Sequence, residues 1–459
     1  MAPSPTQPQQ RRILKTTMTT QSDLKTPTWS IGQRLSILSA ALVLGALIGL
    51  AAMGFLLIIR FFNGLWAVPI PTSIGLNLEF SMAVGLALLT AALIAGQILT
   101  MLENGRPHGG ADLIAAAQSG KGPDVRAGMI STLLALVNIS GGSSVGMFGP
   151  LFHFGGCLGA ALSRFFKSLA KGLSPDVILG SGAAAAISAV FLTPIGAAVF
   201  AHEAIARRFG GFGAGPVILA SFGAYWVSKL TLGDSRLFKV DNLPPINLEN
   251  AVFAVLVGLI CGLISAAYIR ACTEAPAWAK ASGIPLRWRP LVPAALLFLL
   301  SPIFPHLLGP GLGSIDLAIT GALSIGLVLA LIALKILATS TCLGFGFFGG
   351  IFAPALFLGA LGGAVVDSLI SSSHITSFAA IGAASCIAAV IGAPLASIII
   401  VFELTGSYEW TVLSMLSVVV ASQISRSMVG RSIFDRQLEM RGVVVHDDRP
   451  SEPLGGKPA

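Results

Sequence analysis

An all-α protein embedded in a lipid bilayer is predicted by three features of this 459-residue sequence. Charge is too sparse for a soluble globule of such length, with 54% of residues hydrophobic and only 10% charged. Uncharged runs long enough to cross a hydrocarbon core of about 30 Å recur along the chain. Glycine- and proline-rich breaks interrupt apolar stretches at corresponding places in two halves, the pattern of transport folds built from repeats.

The first 30 residues are polar, rich in Pro, Gln and Thr, and lack the apolar core of a signal peptide, so a disordered tail is expected there. Arg11, Arg12, Lys15 and Lys25 assign that tail to the cytoplasm. The first spanning run is the 25 residues from Leu35 to Ile59, flanked by Arg34 and Arg60. Further apolar blocks lie at 80–101, 214–228, 251–269, 291–308, 315–334, 376–402 and 411–424. At least ten membrane segments are expected, several of them interrupted. Arg426, Arg431, Arg436, Arg441 and Arg449 put the C-terminal end on the same side as the first tail, which requires an even number of full crossings. The net charge of +8 is thus read as a topology signal, and no aromatic-interleaved basic patch points to nucleic acid. Cys157, Cys261, Cys272, Cys342 and Cys386 are scattered singly without metal-ligand spacing and are expected to be small buried hydrophobes. The expected division is a transmembrane body over 31–440, with repeat one at about 32–235 and repeat two at about 250–430, then a short tail over 441–459.

The repeat is visible by direct superposition. GAAAAISAVFLTP at 182–194 overlies GAASCIAAVIGAP at 382–394 at a constant offset of 200, and agreement runs on until Glu203 meets Glu403. GMFGPLFHFGG from Gly146 matches GIFAPALFLGA from Gly350 at an offset of 204, placing Met147 on Ile351, Phe148 on Phe352 and Pro150 on Pro354. Irregular backbone at membrane depth survives only if buried in protein or lining a wet cavity. A proline just inside the break, as at Pro150 and Pro354, suits the first turn of a new helix. Each break therefore reads as a helix start, whose unpaired N–H groups and roughly half positive charge favour anions.

These residues resemble the CLC chloride channels and chloride/proton antiporters. GGIFAP at 349–354 carries the resemblance most strongly, with GAPLASIIIVFELTGSYE at 392–409, FLTPIGAAVFAHE at 191–203 and, more loosely, PHGGADLIAAA at 107–117. The resemblance implies an antiparallel two-repeat subunit with one pore, assembled as a homodimer. The regulatory domain pair found in many relatives is not expected here, since the sequence runs only a short way past Phe434.

Departures from the family pattern carry the functional expectation. Where the family has an arginine followed by a gating, proton-carrying glutamate, this sequence has Met147 and Phe148 between Gly146 and Gly149. A carboxylate can mimic a bound anion, take up a proton and leave; a phenyl ring can do neither. The family's internal proton glutamate, one position after Glu203, is Ala204, and the family's tyrosine in the SIFDRQL segment is Phe434. In the first loop, His108 falls at the family's anion-coordinating serine and Asp112 at its acid; a register shifted by one puts Pro107 there instead, with Gly109 following.

Other candidates separate on their chemistry. His202 and Glu203 lack the second histidine of a zinc motif, since Ala206 stands four positions on. Intramembrane carboxylates are functional by default, but the duplication of Glu203 and Glu403 favours a structural role in which each accepts backbone hydrogen bonds within its own half. His153 reads as a packed polar residue or a pore-side proton site. Lys335 either snorkels or raises the local anion concentration.

The expectation is a non-enzymatic, cofactor-free protein of the cell membrane, both termini cytoplasmic, that passes chloride or another small inorganic anion passively. Backbone amides near Met147, Phe148 and Gly149, with those near Ile351, Phe352 and Ala353, would replace part of the anion's hydration shell, while Phe148 and Phe434 shape the constrictions. The alternatives are an anion/proton antiporter using His108, His153, Glu203 or Asp112, and a homologue that binds without conducting.

Overall fold

A computed structural model describes residues 30–66, 78–120, 122–165, 173–207, 213–233, 246–370 and 378–443. The expectations for the two tails fall on 1–29 and 444–459, outside these residues. The first half comprises α1 (Ile31–Trp66), α2 (Leu78–Thr100), α3 (Gly110–Ser119), α4 (Val125–Ser140), α5 (Phe148–Phe165), α6 (Pro175–Phe191), α7 (Pro194–Phe200) and α8 (Ala214–Leu232). The second comprises α9 (Leu248–Ala281), α10 (Leu291–Leu300), α11 (Leu312–Ile319), α12 (Ile325–Gly344), α13 (Phe352–Leu369), α14 (Phe378–Ile391), α15 (Pro394–Thr405) and α16 (Tyr408–Val429), followed by α17 (Ile433–Glu439).

Among the described residues, six helices are long and apolar enough to cross a bilayer, and five further apolar helices are shorter. The expected segments thus divide into full spans and half-length pieces. The 376–402 block, continuous in hydropathy, is cut into α14 and α15 at Gly392 and Ala393. Large side chains such as Leu50, Leu57, Leu86 and Leu263 face outward, while Ser131, Ser188, Ser221 and Ser265 are buried. That distribution suits a lipid solvent, in which small and polar residues pack between helices. The chain is an integral membrane protein.

The halves are inverted copies, and equivalent glycines set the same close crossing in each. A Cβ on Gly155 would lie 2.3 Å from the Gly182 carbonyl oxygen, and one on Gly359 would lie 2.2 Å from that of Gly382. Neither crossing admits a larger residue without moving backbone, so α5 meets α6, and α13 meets α14, along bare main chain. Where α6 and α14 end, the chain turns through the left-handed region at equivalent positions. Gly392 does so at φ 79°, and Leu192 at φ 56°. Glycine adopts this conformation freely; leucine is strained there.

Glu203 and Glu403 correct the expectation of caps within one half. The Glu403 carboxylate accepts from the backbone N–H groups of Ile195 (3.0 Å) and Gly196 (2.7 Å), at the start of α7. The Glu203 carboxylate accepts from Leu395 (3.1 Å) and Ala396 (2.7 Å), at the start of α15. Each acid therefore caps the helix of the opposite half, satisfying N–H groups that Pro194- and Pro394-led helices leave unpaired. Self-similarity reveals equivalent residues; it does not say which half each one touches.

Lys335 does not snorkel. It is fully buried, donates to the carbonyls of Leu307 (3.2 Å) and Gly309 (2.9 Å), and lies 5.1 Å from the centre of the Phe357 ring. All five cysteines are free and buried, as expected for small hydrophobes. No cluster with metal-binding composition occurs among the described residues.

Candidate functional site

The two glycine-rich breaks meet. Gly146 and Gly350, equivalent in the repeat, form an isolated antiparallel bridge, with Gly146 N–H donating to the Gly350 carbonyl at 2.7 Å and the reverse bond at 2.5 Å. The approach is close enough that a Cβ on Gly350 would lie 2.5 Å from the Gly149 nitrogen and 3.2 Å from that of Phe148. The starts of α5 and α13 are thereby locked side by side, and the Tyr268 hydroxyl, from α9, donates to the Ile351 carbonyl at 3.3 Å.

Two spaces open from this junction. The wider is a vestibule of about 450 Å³ whose walls include Arg106, Pro107, Gly109, Arg289, Phe348 and Arg441, and whose floor includes Gly149, Gly350, Ile351 and Phe434. The narrower, about 10 Å³, has room for roughly one water molecule. Its lining is wholly apolar: Phe148, Gly149, Phe152, Ile187, Phe191, Phe200, Ile351, Phe352, Ile391, Ile400 and Phe434. Gly149, Ile351 and Phe434 border both spaces and form the collar between them.

Aromatic packing closes the narrow space. The Phe148 ring stacks on Phe191 with centroids 3.6 Å apart and meets Phe352 edge-on at 5.3 Å, while Phe191 and Phe352 lie 5.2 Å apart. Nearer the collar, Phe152 contacts Phe200 at 5.5 Å and Phe434 at 6.0 Å. Phe434 is held from below: Arg207 pairs with Asp435, and the Ser432 hydroxyl donates to the same carboxylate at 2.8 Å and caps α17. Sequence reasoning singled out Phe148, Phe352 and Phe434 but missed Phe152, Phe191 and Phe200. Phe191 and Phe200 stand where the second half has Ile391 and Ile400, which line the same space, but the repeat offset singles out neither pair until the structure places one of them.

The other predicted residues fall as follows. Met147 is buried but borders neither space, and the same holds for Gly146 and Ala353. Of the loop residues, Pro107 and Gly109 line the vestibule whereas His108 does not. His108 donates its backbone N–H to the Ser131 hydroxyl at 2.8 Å, and its Nε2 lies 3.4 Å from an Arg106 guanidinium nitrogen. Asp112 caps α3 by accepting from the Gly109 N–H at 2.8 Å, and its Oδ1 also takes Arg441 at 2.8 Å and Arg106 at 3.1 Å. His153 is buried against the Cys157 sulfur, 3.9 Å from either ring nitrogen. The vestibule arginines were not recognised as a group, since Arg106, Arg289 and Arg441 are remote in sequence and converge only through folding.

Comparison with known proteins agrees with this architecture. The family described as voltage gated chloride channel matches residues 87–426. The chloride channel protein CLC-e of Arabidopsis thaliana is 28% identical over 61% of this chain, which spans 44% of that relative's length. The voltage-gated ClC-type chloride channel ClcB of Salmonella dublin is 26% identical over 74% of this chain and 84% of its own. Among solved structures, a slow cyanobacterial Cl⁻/H⁺ antiporter superposes with a TM-score of 0.77 at 18% identity, covering 88% of this chain and 98% of that one. A CLC-type fluoride/proton antiporter gives 0.73 at 22% identity, covering 89% and 99%. With its paired helix breaks, its inverted halves and this family match over most of its length, the chain belongs to the voltage-gated chloride channel family, whose members are anion channels and transporters rather than enzymes.

Proposed function

We propose that this protein conducts chloride or a similar small inorganic anion passively, without proton coupling and without a cofactor. The reading rests chiefly on one observation: none of the residues lining the narrow space is ionisable. An anion would enter the vestibule, exchange part of its hydration for backbone N–H groups around Gly149 and Ile351, and pass the collar when the aromatic rings part. Phenyl edges carry a weak positive potential, and rings held mainly by dispersion and stacking open at a cost of about 1 kcal/mol per pair. Conduction is therefore compatible with a path that is closed at rest.

The family resemblance supports a homodimer in the cell membrane, and the basic residues near both ends of the sequence support cytoplasmic termini. The vestibule, bordered by Arg441 close to the end of the described chain, would then face the cytoplasm.

Proton coupling is the rival reading, because the two solved structures compared are a Cl⁻/H⁺ and a fluoride/proton antiporter. Against it, each proposed carrier is otherwise engaged: Asp112 with two arginines, Glu203 as a helix cap, His153 against Cys157, His108 beside Arg106.

Purified protein in liposomes, with a chloride gradient and simultaneous recording of chloride efflux and internal pH, separates the readings. Chloride efflux with a proton flux no greater than in empty vesicles is expected. Uphill proton movement that an uncoupler abolishes would establish the antiporter instead, and no anion flux at any potential would leave binding alone. Phe148→Glu should confer acid-activated flux between pH 4 and 8, because an ionised carboxylate occupies the anion path and a protonated one releases it. Unchanged flux across that range would put Phe148 off the path.

A further inference from the structure

The vestibule is larger than a small inorganic ion needs. At about 450 Å³ it falls within the range of small-molecule pockets, roughly 300–1,000 Å³. It ends abruptly at the collar, beyond which only about 10 Å³ remains. Anything much larger than a halide that enters the vestibule must stop there.

Its charged walls are selective in kind. Arg106 and Arg441 both bond the same carboxylate oxygen, Asp112 Oδ1, at 3.1 and 2.8 Å, so two guanidinium groups share one negative charge. Arg289, from the turn before α10, commits its Nε to the Ile284 carbonyl at 2.9 Å, which fixes the plane of the group. Three guanidinium groups against one carboxylate leave a net charge of +2 at the walls. Lysines would serve equally well to concentrate halide ions. Planar forks with parallel N–H donors instead match the paired oxygens of phosphoryl groups.

We propose that the vestibule is a binding site for a phosphate-bearing anion, gripped by Arg106, Arg289 and Arg441 and unable to pass the collar of Gly149, Ile351 and Phe434. It rests on the reading of this route as the anion path, and on that reading the bound phosphate is a blocker entering from the vestibule side. The chemistry is shared by inorganic pyrophosphate and by nucleoside triphosphates.

Isothermal titration of the purified full-length protein in detergent, with sodium pyrophosphate and separately with ATP, tests binding without reference to flux. Saturable binding of at least one of them, at one site per chain, is expected. A response to ATP alone identifies a nucleotide site, and a response to pyrophosphate identifies one for the bare phosphoanhydride. Arg289→Gln should weaken binding about tenfold or more. Arg289→Lys should recover only part of that loss, because it restores charge without the fork. Arg431→Gln, whose ion pair with Glu439 involves no vestibule-lining residue, should change nothing. Arg106→Gln provides the second variant should Arg289→Gln fail to fold. No saturable binding of either ligand, or affinity unchanged in both glutamine variants, overturns the proposal. Because the titration reads binding even in a protein that conducts nothing, its failure and the failure of the conduction reading are separable.

Discussion

The first half of the molecule lines its share of the narrow space with aromatic rings, and the second half does so largely with aliphatic side chains. Phe191 and Phe200 face Ile391 and Ile400 across the pseudo-two-fold, and only Phe148 and Phe352 match in kind. The backbone follows the opposite trend: the second half turns the corner after α14 with Gly392, whereas the first half forces Leu192 into the same conformation. Symmetry of architecture therefore does not require symmetry of side chains. The fold is kept by main-chain contacts and a few polar caps, while the lining is free to diverge and to decide what passes.

That comparison can be broken most severely at the bridge. Gly350→Ala would put a methyl group 2.5 Å from the Gly149 nitrogen, whereas the nearest atom to the same group on Gly146 lies 3.0 Å away. We expect Gly350→Ala to lower stability by about 3 kcal/mol and Gly146→Ala by about 1 kcal/mol, read from thermal unfolding in detergent. Equal losses would mean that the two starts are crowded alike.

The reciprocal caps come next. Glu203→Gln and Glu403→Gln should each cost about 2 kcal/mol, because an amide offers one acceptor oxygen to two N–H groups and turns an NH₂ toward the other. Their effects should be nearly equal and additive, since each serves a separate helix. A difference between them of more than about 1 kcal/mol would show that the latches are inequivalent.

A smaller effect is expected in the lining. Phe148→Ala removes the stack on Phe191 and should raise chloride flux about tenfold, the equivalent of roughly 1.4 kcal/mol. Phe352→Ala loses only edge-on and tilted contacts and should raise it less. The reverse order, measured as efflux from liposomes, would put the main constriction in the second half. Smallest of all, Leu192→Gly should stabilise the protein by about 0.5 kcal/mol, the relief of a left-handed leucine less the added freedom of glycine in the unfolded chain. A loss instead would mean that packing of the leucine outweighs its strain.

Much of this architecture could be read from the chain before folding. Two constant offsets exposed the repeat, and Pro150 and Pro354 marked two helix starts because proline tolerates the first turn and little else; Pro194 and Pro394, which open α7 and α15 in the same way, were not singled out. The bridge between Gly146 and Gly350 was foreseeable as a meeting of equivalent breaks, though not as a pair of hydrogen bonds. Contacts across the pseudo-axis stayed hidden, as the exchanged positions of Glu203 and Glu403 show: periodicity is blind to partners two hundred residues away. Of the two readings of Lys335, snorkelling fails for a related reason. A lone cation in an apolar run looks like a side chain reaching for water until the turn at Leu307 to Gly309 supplies its carbonyls.

The exchange of carboxylates has a further implication for assembly. Either half synthesised alone would carry a proline-led helix with two bare main-chain donors in hydrocarbon and a glutamate with nothing to hold. Only when the complementary half arrives in the opposite orientation are both deficits cured at once. The pair of acids thus acts as a proofreading handshake, rewarding insertion of the two halves head-to-tail and penalising the parallel arrangement that similar hydropathy would otherwise permit.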